Sequence, residues 1–150
     1  MAGAWLRDTP AEMSDGPTTP DLVERVRELL EIGDRGEWDE AMTFFAPGAV
    51  WMAIDDLEAF EGPAIRDFWV EWYRAYEDVR IEALEVDDMG NEVVMAVIHQ
   101  SGRLGDGLSR ITQRAVLVYE WSGDLIERVT TYVDRDVARV AAERLAQERG

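Results

Sequence analysis

Residues 80–134 alternate between apolar and polar side chains, and this period of two constrains the fold more than any other feature of the chain. It predicts four consecutive strands, over 80–86, 92–101, 108–121 and 125–134. Short sequences rich in turn-forming residues separate the strands, at 88–91, 102–107 and 122–124. Because strands joined by short turns pair antiparallel, this half of the chain is expected to form an antiparallel meander.

The first half of the chain predicts two helices and then a strand. The first helix is expected to begin at Pro20, with Thr19 as its N-cap. Its buried face is an apolar stripe at Leu22, Val26, Leu29 and Leu30. A short second helix is expected over 38–45, ending at Ala46-Pro47-Gly48, and a strand is expected over 49–54.

Two further helices are predicted from the same helical period. One follows Gly62-Pro63 and has a mostly aromatic buried face, formed by Ile65, Phe68, Trp69, Trp72 and Tyr76. The last helix follows Asp134 and is expected to bury Val137, Ala141 and Leu145.

This order of elements predicts an α+β fold, in which a cone-shaped, curled antiparallel sheet has helices packed on its concave face. Such an arrangement leaves a conical cavity, and small molecules bind in concave, mostly apolar places of this kind. Residues 20–150 are expected to form this single domain. Residues 1–19 contain clusters of Pro, Gly, Ser and Thr and are predicted to be a flexible leader.

Composition excludes several classes of site and partner. The chain has no cysteine and one histidine, so disulfides, thiol nucleophiles and multi-histidine metal sites are excluded, and no metal or other cofactor is expected. Its 32 acidic residues outnumber 15 basic ones, for a formal net charge of −17. This charge would repel nucleic acids and anionic membranes. Because the chain has neither an apolar run of about 20 residues nor a signal-peptide pattern, it is expected in the cytoplasm.

Several motifs follow one another over residues 20–147. They are Arg35-Gly36-Glu37-Trp38-Asp39, Phe45-Ala46-Pro47 with Val50-Trp51, Glu61-Gly62-Pro63-Ala64-Ile65-Arg66, the glycine-rich turn at 102–107, and Tyr132-Val133-Asp134-Arg135. Their joint order resembles the nuclear-transport-factor-2-like superfamily, and within it the SnoaL-like polyketide cyclase group. The resemblance implies the cone fold, a homodimer through the outer sheet face, and a small apolar, polyketide-like molecule in the cone. It leaves the activity open, because the superfamily contains enzymes and non-catalytic binding modules.

Two chemistries of the superfamily can be compared with this chain position by position. The resemblance places apolar residues at the base, tyrosine and acid positions of ketosteroid isomerase: Ala53, Leu29, and Ala115 or Val116. For the Asp-Arg-Asp network of limonene epoxide hydrolase, it places His99 at the first aspartate position, Val97 at the arginine position and Thr131 at the second aspartate position. Neither set of catalytic residues is retained. The SnoaL-type cyclases use a strand-borne aspartate or histidine in an apolar pocket, which His99 could still supply.

His99 is the candidate catalytic residue, because histidine is the side chain that titrates near neutral pH. It continues the alternation of Val93, Met95 and Val97. On the cavity face, its imidazole could take a proton alpha to a carbonyl or return one to an enolate. The alternatives are a histidine hydrogen-bonded at the rim of the core and one on the outer face. Periodicity separates the two faces of the strand but does not identify the concave one.

The remaining candidate residues would bind the substrate or position other groups. Gln113, Tyr119 or Thr131 would donate hydrogen bonds to a developing oxyanion. An aromatic wall that stacks on a planar substrate is expected from Trp51, Trp69, Trp72 and Tyr73, with simple core packing as the alternative. Asp134 either orients a histidine or caps the last helix, and the cap is favoured.

Three functional hypotheses follow. The first is a cofactor-independent cyclase, isomerase or hydrolase that acts on a small apolar molecule, with His99 as general acid/base. The second is a non-catalytic ligand-binding or dimeric assembly module of the same fold. The third is a structural dimer whose cavity is filled by Trp and Met side chains.

Overall fold

The computed structural model describes residues 21–54, 58–105 and 109–150, so the predicted leader at 1–19 lies outside the described residues. Four helices and six strands make up the described part. In chain order they are α1 (Leu22–Asp34), α2 (Trp38–Met42), β1 (Phe45–Met52), β2 (Ala59–Glu61), α3 (Pro63–Arg74), β3 (Glu77–Gly90), β4 (Val93–Arg103), β5 (Arg110–Ser122), β6 (Leu125–Tyr132) and α4 (Arg135–Arg149). The α+β class is therefore confirmed.

The strands form one curled, unclosed sheet in the order β2-β1-β6-β5-β4-β3. The four strands from β3 to β6 form the predicted antiparallel meander. The sheet is not wholly antiparallel, however, because β1 runs parallel to β6. Register shifts interrupt the pairing of β3 with β4 and of β5 with β6, and such bulges bend strands and increase their twist.

Strand β1 begins earlier than the sequence indicated. Helix α2 ends at Met42, and Phe45 already pairs with Ile126 of β6. The predicted turn Ala46-Pro47-Gly48 falls where the β1–β6 register shifts, and an irregular pairing of this kind accommodates a proline. The three-residue β2 was not predicted, because it is too short to show a period.

The N-cap of α1 is Asp21 rather than Thr19, which lies outside the described residues. The Asp21 carboxylate accepts a hydrogen bond from the backbone N–H of Glu24 at 3.2 Å, and the helix begins at Leu22. The predicted stripe of Leu22, Val26, Leu29 and Leu30 is buried as expected.

The two faces of the sheet carry separate cores. Helices α1, α2 and α3 cover the concave face, where the larger core contains Val94, Ala96 and Ile98 of β4. Helix α4 packs instead on the outer face, against Val93, Met95 and Val97. The expectation that the helices cover one face thus holds for three of the four helices.

The buried side of α4 also differs from the prediction. Its small residues Ala138, Ala142 and Ala146 contact the sheet, whereas Val137 is 56% exposed. Alanines at this spacing let the helix approach the strands closely. The prediction had instead chosen the helix side with the larger apolar side chains, and that side faces away from the sheet at Val137. Asp134 is the N-cap, as favoured, and its carboxylate accepts from the backbone N–H groups of Asp136 and Val137 at 2.8 and 3.0 Å.

Ion pairs hold the start of α4 against β3. Arg135 Nη2 lies 2.6 Å from Glu85 Oε2, and Arg139 Nη2 lies 2.9 Å from Asp87 Oδ2. The pKa of Glu85 is lowered to about 2, chiefly by the hydrogen bond from Arg135 and then by a hydrogen bond with Asp87.

Within the described residues, no helix is long and apolar enough to cross a membrane.

This ion-pair cluster predicts a pH-dependent contribution to stability. Because the Glu85 pKa is lower in the folded chain than its ordinary value of 4.5, the ionised carboxylate stabilises the fold above about pH 4.5. The contribution is lost as the pH falls toward 2. Glu85→Gln should therefore lower the melting temperature modestly at about pH 7, since surface ion pairs contribute little, and have less effect at about pH 3. Thermal unfolding at both pH values would measure this.

The matched control is Glu143→Gln, which removes the same charge from an exposed position on α4 itself. We expect this substitution to change the melting temperature less than Glu85→Gln at about pH 7. Equal shifts for both variants at both pH values would contradict a specific role for Glu85.

Candidate functional site

A cavity of about 290 Å³ lies between α3 and the concave face of the sheet, and we call it the outer chamber. Its described walls are formed by Trp51, Ala53, Ile54, Glu58, Phe68, Trp69, Trp72, Ile98, Gln100, Gln113, Ala115, Leu117 and Thr131. Apolar and aromatic side chains dominate this lining, as in most small-molecule sites.

Strand register brings the sheet residues of the chamber together. Gln100 of β4 lies opposite Gln113 of β5, and Ile98 lies opposite Ala115. Leu117 of β5 lies opposite Thr131 of β6. Because alternate residues of a strand face the same side, these pairs form one continuous surface on the concave face.

Helix α3 supplies the aromatic side of the chamber. The Trp69 ring meets the rings of Trp51 and Trp72 edge to face, with centroids 5.1 and 5.5 Å away and interplanar angles of 82° and 76°. Tyr76, which was predicted on the helix face, follows the end of α3 and lies close to β4, because a Cβ added at Gly102 would be only 2.7 Å from the Cβ of Tyr76. The aromatic wall expected at Trp51, Trp69 and Trp72 is therefore present in the cavity lining.

Besides Glu58, three uncharged polar side chains interrupt the apolar lining, and we call Gln100, Gln113 and Thr131 the polar patch. Gln100 Nε2 donates a hydrogen bond to Gln113 Oε1 at 2.9 Å. Gln100 is 7% exposed and Thr131 8% exposed. Among the described residues, Gln100 Oε1 and Thr131 Oγ1 have no hydrogen-bond partner. A buried polar atom left unpaired costs about 1–3 kcal/mol, so the patch is incomplete as it stands.

A smaller cavity of about 40 Å³, the inner chamber, continues deeper into the cone. It shares Trp51, Trp69, Ile98 and Leu117 with the outer chamber. Tyr119 lies at this inner level, fully buried, and burial raises the pKa of its phenol. The predicted substrate contact of Tyr119 would therefore require a ligand that reaches past the outer chamber.

His99 does not face the cavity that was expected to hold it. Its neighbours in the alternation, Met95 and Val97, pack against α4 on the outer face. The chamber is lined by the adjacent β4 residues, Ile98 and Gln100. His99 itself is half-buried, in register with Glu82 of β3 and Arg114 of β5. Of the alternatives that the sequence left open for His99, the structure shows the outer face, because a step of one residue along a strand exchanges the two faces.

The same one-residue step corrects the comparison with limonene epoxide hydrolase. Val97 and His99 lie on the outer face, and the concave residues of β4 that border the chamber are Ile98 and Gln100. Thr131 does line the chamber, as expected. Since Ile98 and Gln100 are neither arginine nor aspartate, the Asp-Arg-Asp network is absent with the corrected register as well.

Tyr73 lies away from both chambers. Its ring packs over Gly36, where an added Cβ would come within 2.8 Å of the ring. Its hydroxyl donates to the backbone carbonyl oxygen of Asp34 at 3.3 Å. Tyr73 therefore joins α3 to the end of α1 and does not line either chamber, unlike Trp51 and Trp69.

Sequence reasoning missed Gln100, the buried member of the polar patch. The available signal was its position at the end of the alternation Val94, Ala96, Ile98, where a polar residue ends an apolar face. The adjacent histidine drew attention to the other face. Gln113, Thr131, Trp51 and Trp69 do line the outer chamber together. Across the described ranges, no group of three or more His, Asp or Glu residues is placed to hold a metal ion.

Residues 26–129 of this chain match the sequence model of a protein family, the SnoaL-like domain family. Comparison with curated proteins gives no match. Among solved structures, a hypothetical protein from Catenulispora acidiphila with a ketosteroid isomerase-like fold, in complex with trimethylamine, is 13% identical with a TM-score of 0.65. The match covers 79% of this chain and 88% of that chain.

Two further structures share the fold. SalBIII, described as an epoxide hydrolase/cyclase-like enzyme in pyran ring formation of salinomycin, is 18% identical with a TM-score of 0.65, covering 75% of this chain and 90% of that one. AclR, a putative hydroxylase from Streptomyces galilaeus, is 10% identical with a TM-score of 0.67, covering 85% and 98%. At these identities the comparisons establish the fold and not the activity.

The unpaired atoms of the polar patch predict that Thr131→Val stabilises the chain in the absence of ligand. The substitution keeps a β-branched side chain in β6 but removes a buried hydroxyl without a partner. We expect the free energy of unfolding to rise by about 1 kcal/mol in urea denaturation. The control, Thr131→Ser, retains the hydroxyl, loses a methyl group and should destabilise the chain. A clear loss of stability in Thr131→Val would show that the hydroxyl is paired.

Proposed function

The chain belongs to the SnoaL-like domain family, and from this premise we propose that it binds a small, largely apolar molecule in the outer chamber. The observation that carries the proposal is the outer chamber itself, a cavity of about 290 Å³ that is lined mostly by apolar and aromatic side chains and has the polar patch on its sheet side. The polar patch would orient the ligand through Gln113, its exposed member, while the tryptophans supply most of the contact area.

The chamber has a size and composition suited to this role. A volume of about 290 Å³ accommodates an aromatic ring with a short substituent. The trimethylamine complex and SalBIII support the proposal as two examples of this fold associated with small molecules. A polyketide-like substrate and cyclase chemistry remain predictions for this chain.

Binding without catalysis is favoured over acid/base chemistry. General acid/base catalysis needs an ionisable group within hydrogen-bond reach of the reacting proton. Among the described residues that line the outer chamber, Glu58 is the only one with an ionisable side chain. His99 faces the opposite side of the sheet and is not part of the proposed site.

The position of Glu58 at the outer chamber supports a second candidate function, acid/base catalysis. It borders the chamber and is exposed. In a cofactor-independent cyclase, isomerase or hydrolase, its carboxylate would act as the base in place of His99. This candidate predicts a product that forms with the wild-type chain and not with Glu58→Gln, detected by mass spectrometry of the incubated ligand.

The homodimer and the cytoplasmic location stay predictions of the family resemblance and the composition. Helix α4 constrains the dimer, because it already covers the part of the outer sheet face formed by Val93, Met95 and Val97. A second copy on that face would have to contact α4 or the sheet beyond it.

Neighbouring residues on opposite faces provide a test of the proposed site. We expect Ala115→Leu to weaken ligand binding at least about tenfold, because the larger side chain fills part of the outer chamber. His99→Gln should leave the affinity unchanged. The measurement is two-dimensional NMR titration with aromatic compounds that carry neutral, cationic or anionic substituents. The melting temperature of each variant shows whether it is folded.

Two results would contradict the proposal. One is that no compound in the panel shifts the resonances of Ile98, Ala115 or Thr131. The other is that binding survives Ala115→Leu but is lost in His99→Gln, since that would place the ligand on the outer face.

A further inference from the structure

We propose that the ligand of the outer chamber carries an uncharged hydrogen-bond acceptor, such as a ketone oxygen, on an arm that reaches Tyr119 in the inner chamber. This inference rests on the proposed function, since it names a chemical feature of the molecule bound there. Three observations support it, namely the unpaired phenol of Tyr119, the apolar lining of the inner chamber and the position of Tyr119 on β5.

The Tyr119 hydroxyl is a buried polar group without a partner. The side chain is 1% exposed and lines the inner chamber. It makes no hydrogen bond with another described residue. Gln100 Oε1 and Thr131 Oγ1 are enclosed by protein atoms, whereas the Tyr119 hydroxyl is not one of the enclosed unpaired atoms and is open to the inner chamber. Because an unpaired polar group in the core is costly, a ligand atom that pairs with this hydroxyl gains affinity.

The phenol offers a proton and therefore requires an acceptor. Burial raises the pKa of Tyr119, so its hydroxyl stays protonated at neutral pH. A ligand that only donates hydrogen bonds would leave this proton unpaired. A carboxylate is disfavoured, because an ionised group loses its hydration in an apolar cavity. The remaining choice is an uncharged oxygen acceptor.

The inner chamber offers little other polar contact. Arg66 borders it, but the Arg66 side chain is 41% exposed and its Nε donates to Asp39 Oδ1. A stably held water molecule needs about two to four polar partners, so water is poorly suited to the space beside Tyr119. A molecule with one acceptor and an otherwise apolar end suits it better. The apolar lining includes Leu29, Leu30, Ala41, Met42, Ile65 and Ile81.

The spacing of β5 sets the length of the arm. Leu117 lines both chambers, and Tyr119 is the next residue on the same face of the strand. Side chains two residues apart on a strand are separated by about 7 Å. A ring beside Leu117 can therefore place an oxygen near Tyr119 through an arm of about two carbon atoms. The inner chamber has about 40 Å³, and a water-sized group needs only about 10–15 Å³.

Four phenyl compounds test the inference by NMR titration at about pH 7. Benzylacetone carries a ketone on a two-carbon arm, and its methylene analogue has a methylene group in place of the ketone oxygen. Acetophenone carries its ketone directly on the ring, and phenylbutyrate ends in a carboxylate. We expect benzylacetone to bind at least about tenfold more tightly than phenylbutyrate, because the inner chamber disfavours a charge.

Tyr119→Phe is the decisive variant, because it removes the hydroxyl and keeps the ring. It should weaken benzylacetone binding by roughly three- to tenfold and leave the affinities for the methylene analogue and acetophenone unchanged. The matched control, Tyr73→Phe, removes a hydroxyl away from both chambers and should change none of the affinities. Melting temperatures show whether each variant is folded.

Infrared spectroscopy of bound benzylacetone with an isotope-labelled carbonyl gives a second readout. A hydrogen bond to the oxygen weakens the carbonyl bond, so the stretching frequency should be lower in the wild-type chain than in Tyr119→Phe. A frequency in the wild-type chain equal to that in an alkane solvent would contradict the inference, whether or not the variant folds.

The titrations separate the two proposals. If Tyr119→Phe leaves benzylacetone binding unchanged, or weakens the methylene analogue by the same factor, the acceptor inference is wrong while small-molecule binding stands. If phenylbutyrate binds most tightly, the ligand is an anion and the inference is again wrong. If none of the four compounds shifts the resonances of Ile98, Ala115 or Thr131, both the inference and the proposed function are overturned.

Discussion

The pairing of β4 with β5 is the constraint on which the rest of the structure depends. It runs without a register shift from Val93 opposite Glu120 to Arg103 opposite Arg110. Over this length every side chain has a defined face, and a slip of one residue would exchange all of them. The pairing therefore decides that Gln100 borders the chamber while its neighbour His99 lies on the outer face. The site is thus determined by backbone hydrogen bonding before any side-chain chemistry is considered.

Each face of this pair is buried by a different kind of helix surface, and the difference explains where space remains. On the outer face, the alanines of α4 contact the strands closely, and ion pairs to Glu85 and Asp87 hold the helix in place. On the concave face, α3 presents large rings that contact one another and Trp51 of β1 edge to face. Rigid rings at such angles fill a curved space incompletely, whereas small side chains on a straight helix leave few gaps. The chamber consequently lies under α3 and not under α4.

Local periodicity was sufficient to predict the meander, the stripe of α1 and, apart from Tyr76, the aromatic face of α3, because each depends on a spacing repeated within one element. Three features depend on contacts between distant segments and were not predictable in this way. The parallel pairing of β1 with β6 joins the two ends of the domain. The buried side of α4 depends on how closely it approaches the sheet, so Ala138 and Ala142 are buried while Val137 is exposed. The third feature is which face of β4 is concave, because alternation shows which residues share a face but does not show which face the sheet curls toward.

The chemistry available to a cone of this kind depends on whether its wall can ionise. A carboxylic acid or imidazole in the position of Gln100 would be buried in an apolar cavity, where desolvation shifts its pKa and makes it a proton donor or acceptor. An amide in that position forms hydrogen bonds and never exchanges its charge state at physiological pH. Gln100, Gln113 and Thr131 are all of this non-ionising kind, so the polar patch can orient a molecule without transferring its protons. The same fold can therefore serve for catalysis or for binding according to a few wall residues, and among the described wall residues of this chamber Glu58 is the one that can ionise.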